Sequence, residues 1–133
     1  MAYEFSAQDN ELFDTMSKSS RRMARAGTAL ALLLAAGGLA GVLLPPPHLP
    51  RGVAPAVGAL TLLGALPAGW AARHLDAASK SIGLVASTEG HDVPHVADAV
   101  GRLRDAFNAL AVMLLVDGVV VAAVVAMLFP RGA

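Results

Sequence analysis

The stretch AFNALAVMLLVDGVVVAAVVAMLF, running from Ala106 to Phe129, decides the fold. Its 24 residues hold a single ionisable group, Asp117. A helix rising about 1.5 Å per residue crosses a hydrocarbon core with about 20 apolar residues, so this stretch is long enough to span. In lipid every backbone N–H and C=O must be satisfied internally, which leaves only helices and closed barrels. No period-2 alternation of polar and apolar residues points to a barrel.

Two further stretches have the same character. Ala26–Leu44 is 19 residues without a charge, and Gly52–Ala72 is 21. The whole chain has 133 residues and is 56% hydrophobic, with ten basic and ten acidic side chains. A soluble domain spreads its charge along its length; here charge is confined to islands between bare segments. The distribution predicts an all-α integral membrane protein of one domain, residues 1–133, with the lipid bilayer as its first partner. Zero net charge and sparse aromatics argue against nucleic acid. The chain has no cysteine, which removes disulfides and thiolate metal sites. The first 25 residues are polar, so the first span is expected to stay as an anchor, with no cleaved signal.

Residues 5–25 predict an amphipathic juxtamembrane helix. Ser6 followed by Asp9 is a capping-box start. Leu12, Met16 and Met23 share one face of a 3.6 period, with Phe5 and Phe13 nearby. The acids Glu4, Asp9, Glu11 and Asp14 precede the bases Lys18, Arg21, Arg22 and Arg25. That order suits the helix dipole and places Arg21, Arg22 and Arg25 at the lipid surface as interface anchors. The face would lie on headgroups, on another copy, or on a docking partner.

Span one (26–44) contains Gly37 and Gly41, a G-x-x-x-G pair with Gly38 beside it, which lets helices approach closely within the chain or between subunits. The proline-rich loop 45–52 must end that span, since proline lacks the N–H a helix interior needs. Span two (52–72) has Pro55 in its first turn, Pro67 as an expected bend, Trp70 in the interfacial belt and Thr61 near mid-span. Residues 73–105 predict a helical hairpin whose arms continue spans two and three. Its apolar stripes are Leu75, Ala78, Ile82 and Val85 on one arm. On the other they are Val96, Ala99 or Val100, Leu103 and Phe107. Span three (106–129) leaves an external tail, 130–133. Eight bases lie on the N-terminal and hairpin side, against Arg51 and Arg131 on the other. The excess places the N-terminus and hairpin in the cytoplasm and the proline loop and C-terminus outside.

Asp117 is the residue that most needs an explanation. A carboxylate at the bilayer centre costs about 2.5–3.5 kcal/mol on insertion scales, so protonation, a polar partner or water must offset it. No Lys or Arg lies at matching depth. Thr61 and Thr28 are the candidate partners within the chain; otherwise a neighbouring subunit supplies one. Gly118, Ala122 and Ala126 form a small-residue strip beside it that favours close helix contact. Three roles follow for Asp117: a protonated hydrogen-bonder between helices, a site for proton or cation passage, or a contact to a larger partner.

The hairpin turn carries His91, Asp92 and His95. Histidine and carboxylate clusters can hold zinc, but His91 precedes the expected cap at Asp92, so the two histidines need not share a helix face; a polar turn with Asp92 as N-cap is the simpler reading. No nucleophile–base–orienter set, phosphate loop or H-E-x-x-H is present, so neither an enzyme nor a cofactor is expected.

Phe5-Ser6, Asn10 and Leu12 before span one, and Thr88, Gly90, Asp92-Val93 and His95 before span three, resemble small three-span bacterial membrane proteins of unassigned function. The resemblance implies this topology and a bacterial inner-membrane location, and no activity. The functional expectation is a non-enzymatic scaffold, either a homo-oligomer or a small structural subunit of a larger membrane complex. The alternative is an oligomeric ion- or proton-conducting path using Asp117.

Overall fold

The computed structural model describes residues 5–47, 52–87 and 92–128, and among these all regular structure is helical. Three helices follow in order: α1 (Ala7–Leu43), α2 (Val53–Val85) and α3 (Asp92–Leu128). Each is long and apolar enough to cross a membrane. The stretch 5–25 and the first span form one continuous helix, and α2 and α3 likewise run unbroken from apolar span into polar extension. Pro67 lies inside α2, which continues through it. His48, Arg51, Glu89, His91, Phe129 and the tail 130–133 lie outside the described residues.

Helix α1 opens on a capping box. Ser6 Oγ accepts from the Asp9 N–H at 3.3 Å, and Asp9 Oδ2 accepts from the Ser6 N–H at 3.0 Å. This pairing satisfies orphan donors of the first turn and holds the Asp9 carboxyl below its ordinary range. Helix α2 opens at Gly52, whose φ of +97° lies in the left-handed region that only glycine enters freely.

Helix α2 lies between the other two. Antiparallel α1 and antiparallel α3 each pack on α2, and among the described residues the α1 and α3 backbones stay apart, although Gly37 and Gly41 of α1 and Val124 of α3 line a common cavity. The first seam runs from Ser17 against Ser79, through Gly27 against Ala72, to Gly41 against Gly58. The second runs from Ser81 against Asp98, past His74 and Asp105, to Gly64 against Asp117. The α1 start, the α2 end and the α3 start therefore share one end of the bundle, and the α1 end and the α2 start share the other.

The buried residues are small. Ala24, Ala54, Ala68, Ala71, Ala72, Ala78, Ala99 and Ala106 fill the seams, with Ile82 and Val85 the only larger aliphatics among them. The large apolar side chains point outward: Leu33 is 71% exposed, Leu66 70% and Leu115 72%. A water-soluble bundle would bury these leucines, each worth roughly 1.5–3 kcal/mol removed from water. In lipid that driving force vanishes between helices, and close packing of small residues takes its place. The inside-out distribution is the physical signature of an integral membrane protein in contact with the bilayer.

Candidate functional site

Every ionisable side chain described on the three helices lies in their polar extensions except Asp117, which sits midway along the apolar part of α3. The α3 residues facing α2 include Ala99, Ala106 and Asp117, positions that share one helical face. Asp117 is half-buried in that seam, opposite Gly64 of α2. A Cβ placed on Gly64 would lie 3.3 Å from Asp117 Oδ1, so the missing side chain makes the notch the carboxyl occupies.

The two candidate hydroxyls do not reach it. Thr61 Oγ1 donates to the Val57 carbonyl at 2.8 Å, and Thr28 Oγ1 donates to the Ala24 carbonyl at 2.9 Å. Each closes on its own helix, the usual fate of a threonine in an apolar span. Among the described residues Asp117 has no hydrogen-bond partner in its own chain. Gly118 and Ala122 lie on the outer surface of α3, and a Cβ on Gly118 would meet nothing within 4 Å. The small-residue strip thus faces away from α2, while the carboxyl it accompanies is turned toward the seam.

In the first span the close approach uses Gly38 and Gly41. A Cβ on Gly38 would lie 2.8 Å from the Gly58 carbonyl, and one on Gly41 3.2 Å from Gly58 Cα. Gly37 meets nothing within 4 Å. Sequence reasoning missed Gly58 and Gly64. Their signal is the run of small residues at Ala54, Gly58, Gly64, Ala68 and Ala71–Ala72, a stripe along α2 hidden among alanines that point elsewhere.

The polar extensions are held by buried serines. Ser17 Oγ donates to the Ser79 carbonyl at 2.7 Å across α1 and α2, and Gly83 leaves room for it. Ser81 Oγ donates to Asp98 across α2 and α3. That hydrogen bond, helped by the nearby Arg102 charge, holds the Asp98 carboxyl below its usual range. Arg21, Arg22, Arg25 and Arg73 are exposed, with no carboxylate partner among the described residues. Trp70 is also exposed, at the boundary between apolar span and polar extension. Helix α3 begins at Asp92; His95 lies in its first turn, and among the described residues no three His, Asp or Glu side chains converge as a metal site would require.

A scan of family models and searches of curated proteins and of solved structures find no match to the chain.

Proposed function

We propose that this chain is a non-enzymatic membrane scaffold that assembles into a homo-oligomer or serves as a small structural subunit of a larger membrane complex. The observation that carries the reading is Asp117, a carboxyl amid apolar helices with no hydrogen-bond partner among the described residues. Leaving such a group unpaired costs several kcal/mol in lipid, so a donor from a neighbouring subunit is the economical remedy. The open strip at Gly118 and Ala122 supports the same reading, because it lets a neighbour approach α3 closely. The N-terminus, the amphipathic stretch 5–25 and the hairpin 73–105 lie in the cytoplasm of a bacterial cell, and the proline loop and C-terminus lie outside the inner membrane, on the basic-residue excess.

Native mass measurement after mild detergent extraction tests this. The wild type should run as an oligomer or complex, Asp117→Asn should retain it through its amide, and Asp117→Leu should weaken it. An interhelical hydrogen bond in lipid contributes about 0.6–2 kcal/mol, so the leucine variant shifts the assembly constant by about 3- to 30-fold. A monomeric wild type would refute the scaffold. Ion flux in liposomes that disappears in Asp117→Asn would replace it with the conducting path.

A further inference from the structure

At the boundary between apolar span and polar extension, residues of α2 and α3 line a groove of about 530 Å³. That volume lies within the range of sites for small molecules, roughly 300–1,000 Å³. Its lower walls are hydrocarbon, from Leu66 and Pro67 on α2 and Val112 on α3. Its upper end is polar, formed by His74, Asp105 and Asn108, with Trp70 between the two zones.

The polar end is a set of acceptors. His74 is largely buried, and its Nδ1 is sealed from solvent without a hydrogen bond, 4.0 Å from Asp105 Oδ2. A neutral imidazole with its proton on one nitrogen keeps the other as an acceptor, so His74 can offer a lone pair to a ligand. Asp105 Oδ1 is engaged by Arg104, whose Nη2 lies 3.2 Å away, while Oδ2 has no hydrogen bond. Asn108 adds an amide, which can accept as well as donate, and no lysine or arginine is among the residues lining the groove. The indole of Trp70 stacks near His74, with ring centroids 5.5 Å apart, and remains 63% exposed. Acceptors, a carboxylate and an aromatic ring above a hydrocarbon slot favour a donor-rich cation carrying an alkyl chain.

We propose that this groove binds an amphiphile with an ammonium head, placing the head between His74, Asp105 and Trp70 and the chain along Leu66, Pro67 and Val112. Such a head occurs both on free lipophilic amines and on aminophospholipids.

Trp70 is the only tryptophan, so its fluorescence reports occupancy directly. The probe is an alkylammonium brominated near its head, titrated into the full-length protein in a neutral maltoside micelle, with the matching brominated alcohol as comparison. Saturable quenching by the amine and only linear, partition-type quenching by the alcohol is expected. Asp105→Asn should weaken the amine by about tenfold, the scale of one lost charge-assisted hydrogen bond. Arg104→Gln, which releases the second carboxylate oxygen at an exposed position, should strengthen it. Two results would overturn the proposal: equal quenching by amine and alcohol, or an unchanged amine titration in both variants while circular dichroism shows native helix content. In phosphatidylcholine vesicles, preferential quenching by brominated phosphatidylethanolamine over brominated phosphatidylglycerol identifies the lipid as source. Equal quenching by those two lipids, with the free amine still saturable, identifies the free amine.

Discussion

Replacing Gly58 by alanine should loosen α1 from α2, whereas the same change at Gly37 should not. A Cβ on Gly58 would lie 2.6 Å from the Gly38 carbonyl oxygen, 2.8 Å from the Val42 nitrogen and 3.0 Å from the Gly41 carbonyl carbon. All three are backbone atoms of α1, so no side chain can rotate away. Raising the shortest approach to the 3.4 Å of ordinary contact moves the helices apart by about 0.8 Å. A gap of that size forfeits about a quarter to a half of each dispersion contact along the seam. Overpacking costs about 1–3 kcal/mol, and rigid backbone neighbours place this site in the upper half of that range. Alanine returns about 1 kcal/mol through helix propensity, leaving a net loss of about 1–2 kcal/mol. At Gly37 a Cβ meets nothing within 4 Å, so only the propensity gain remains and the variant should be unchanged or slightly more stable. Unfolding by SDS in mixed micelles, followed by Trp70 fluorescence, measures both. Gly58→Ala with wild-type stability, or Gly37→Ala as damaging as Gly58→Ala, would refute the packing argument.

Ser17→Ala removes the buried hydrogen bond to the Ser79 carbonyl and should cost about 1 kcal/mol in the same assay. Ser6→Ala removes the cap of α1 and should cost about 1 kcal/mol locally, seen as faster amide exchange at residues 7–10 and unchanged exchange around Gly58. The Asp98 carboxyl titrates lower in the folded protein than in the unfolded chain, first because of Ser81. The stability it contributes is therefore present above the unfolded value and lost as pH falls through the folded one. Between about pH 5 and pH 2 the wild type should lose more stability than Ser81→Ala, as measured by SDS unfolding at each pH.

The three spans were legible because apolar length alone reports them, and lipid leaves the backbone no other form. The seams were less legible, for a physical reason. Apolar periodicity marks the buried face only when burial is driven by water. The apolar stripe Leu12, Met16 and Met23 is exposed within the chain, while Ser17 and Ala24 are the residues of this stretch that are buried. Val100 and Phe107 likewise point away from α2, whereas Ala99 and Ala106 face it. Side-chain size is the better guide in such a bundle. It would have pointed to Gly58 as the counterpart of the α1 glycines, though not to Gly38 over Gly37, which are identical in size. Asp117 stood out in the sequence because a charge among apolar residues is conspicuous at any register. The groove at His74 and Asp105 did not, because the two residues lie 31 positions apart on different helices and meet only through the antiparallel register of α2 and α3.

The two seams divide the chemistry between them. Along α1 and α2 the groups in contact are glycines and alanines in the apolar part and a serine hydroxyl on a carbonyl in the polar part. None of these changes charge, although a mainly apolar cavity lined by Gly37, Gly41, Val57 and Thr61, with Val124 of α3, interrupts this seam too. Along α2 and α3 the same length of interface holds Asp98, the His74–Asp105 pair and Asp117, together with the groove. A seam closed by backbone contact fixes geometry; one interrupted by carboxylates and a cavity leaves acceptors that another molecule can satisfy. The two groups on which the proposals rest, Asp117 and the His74–Asp105 pair, both lie on the second seam.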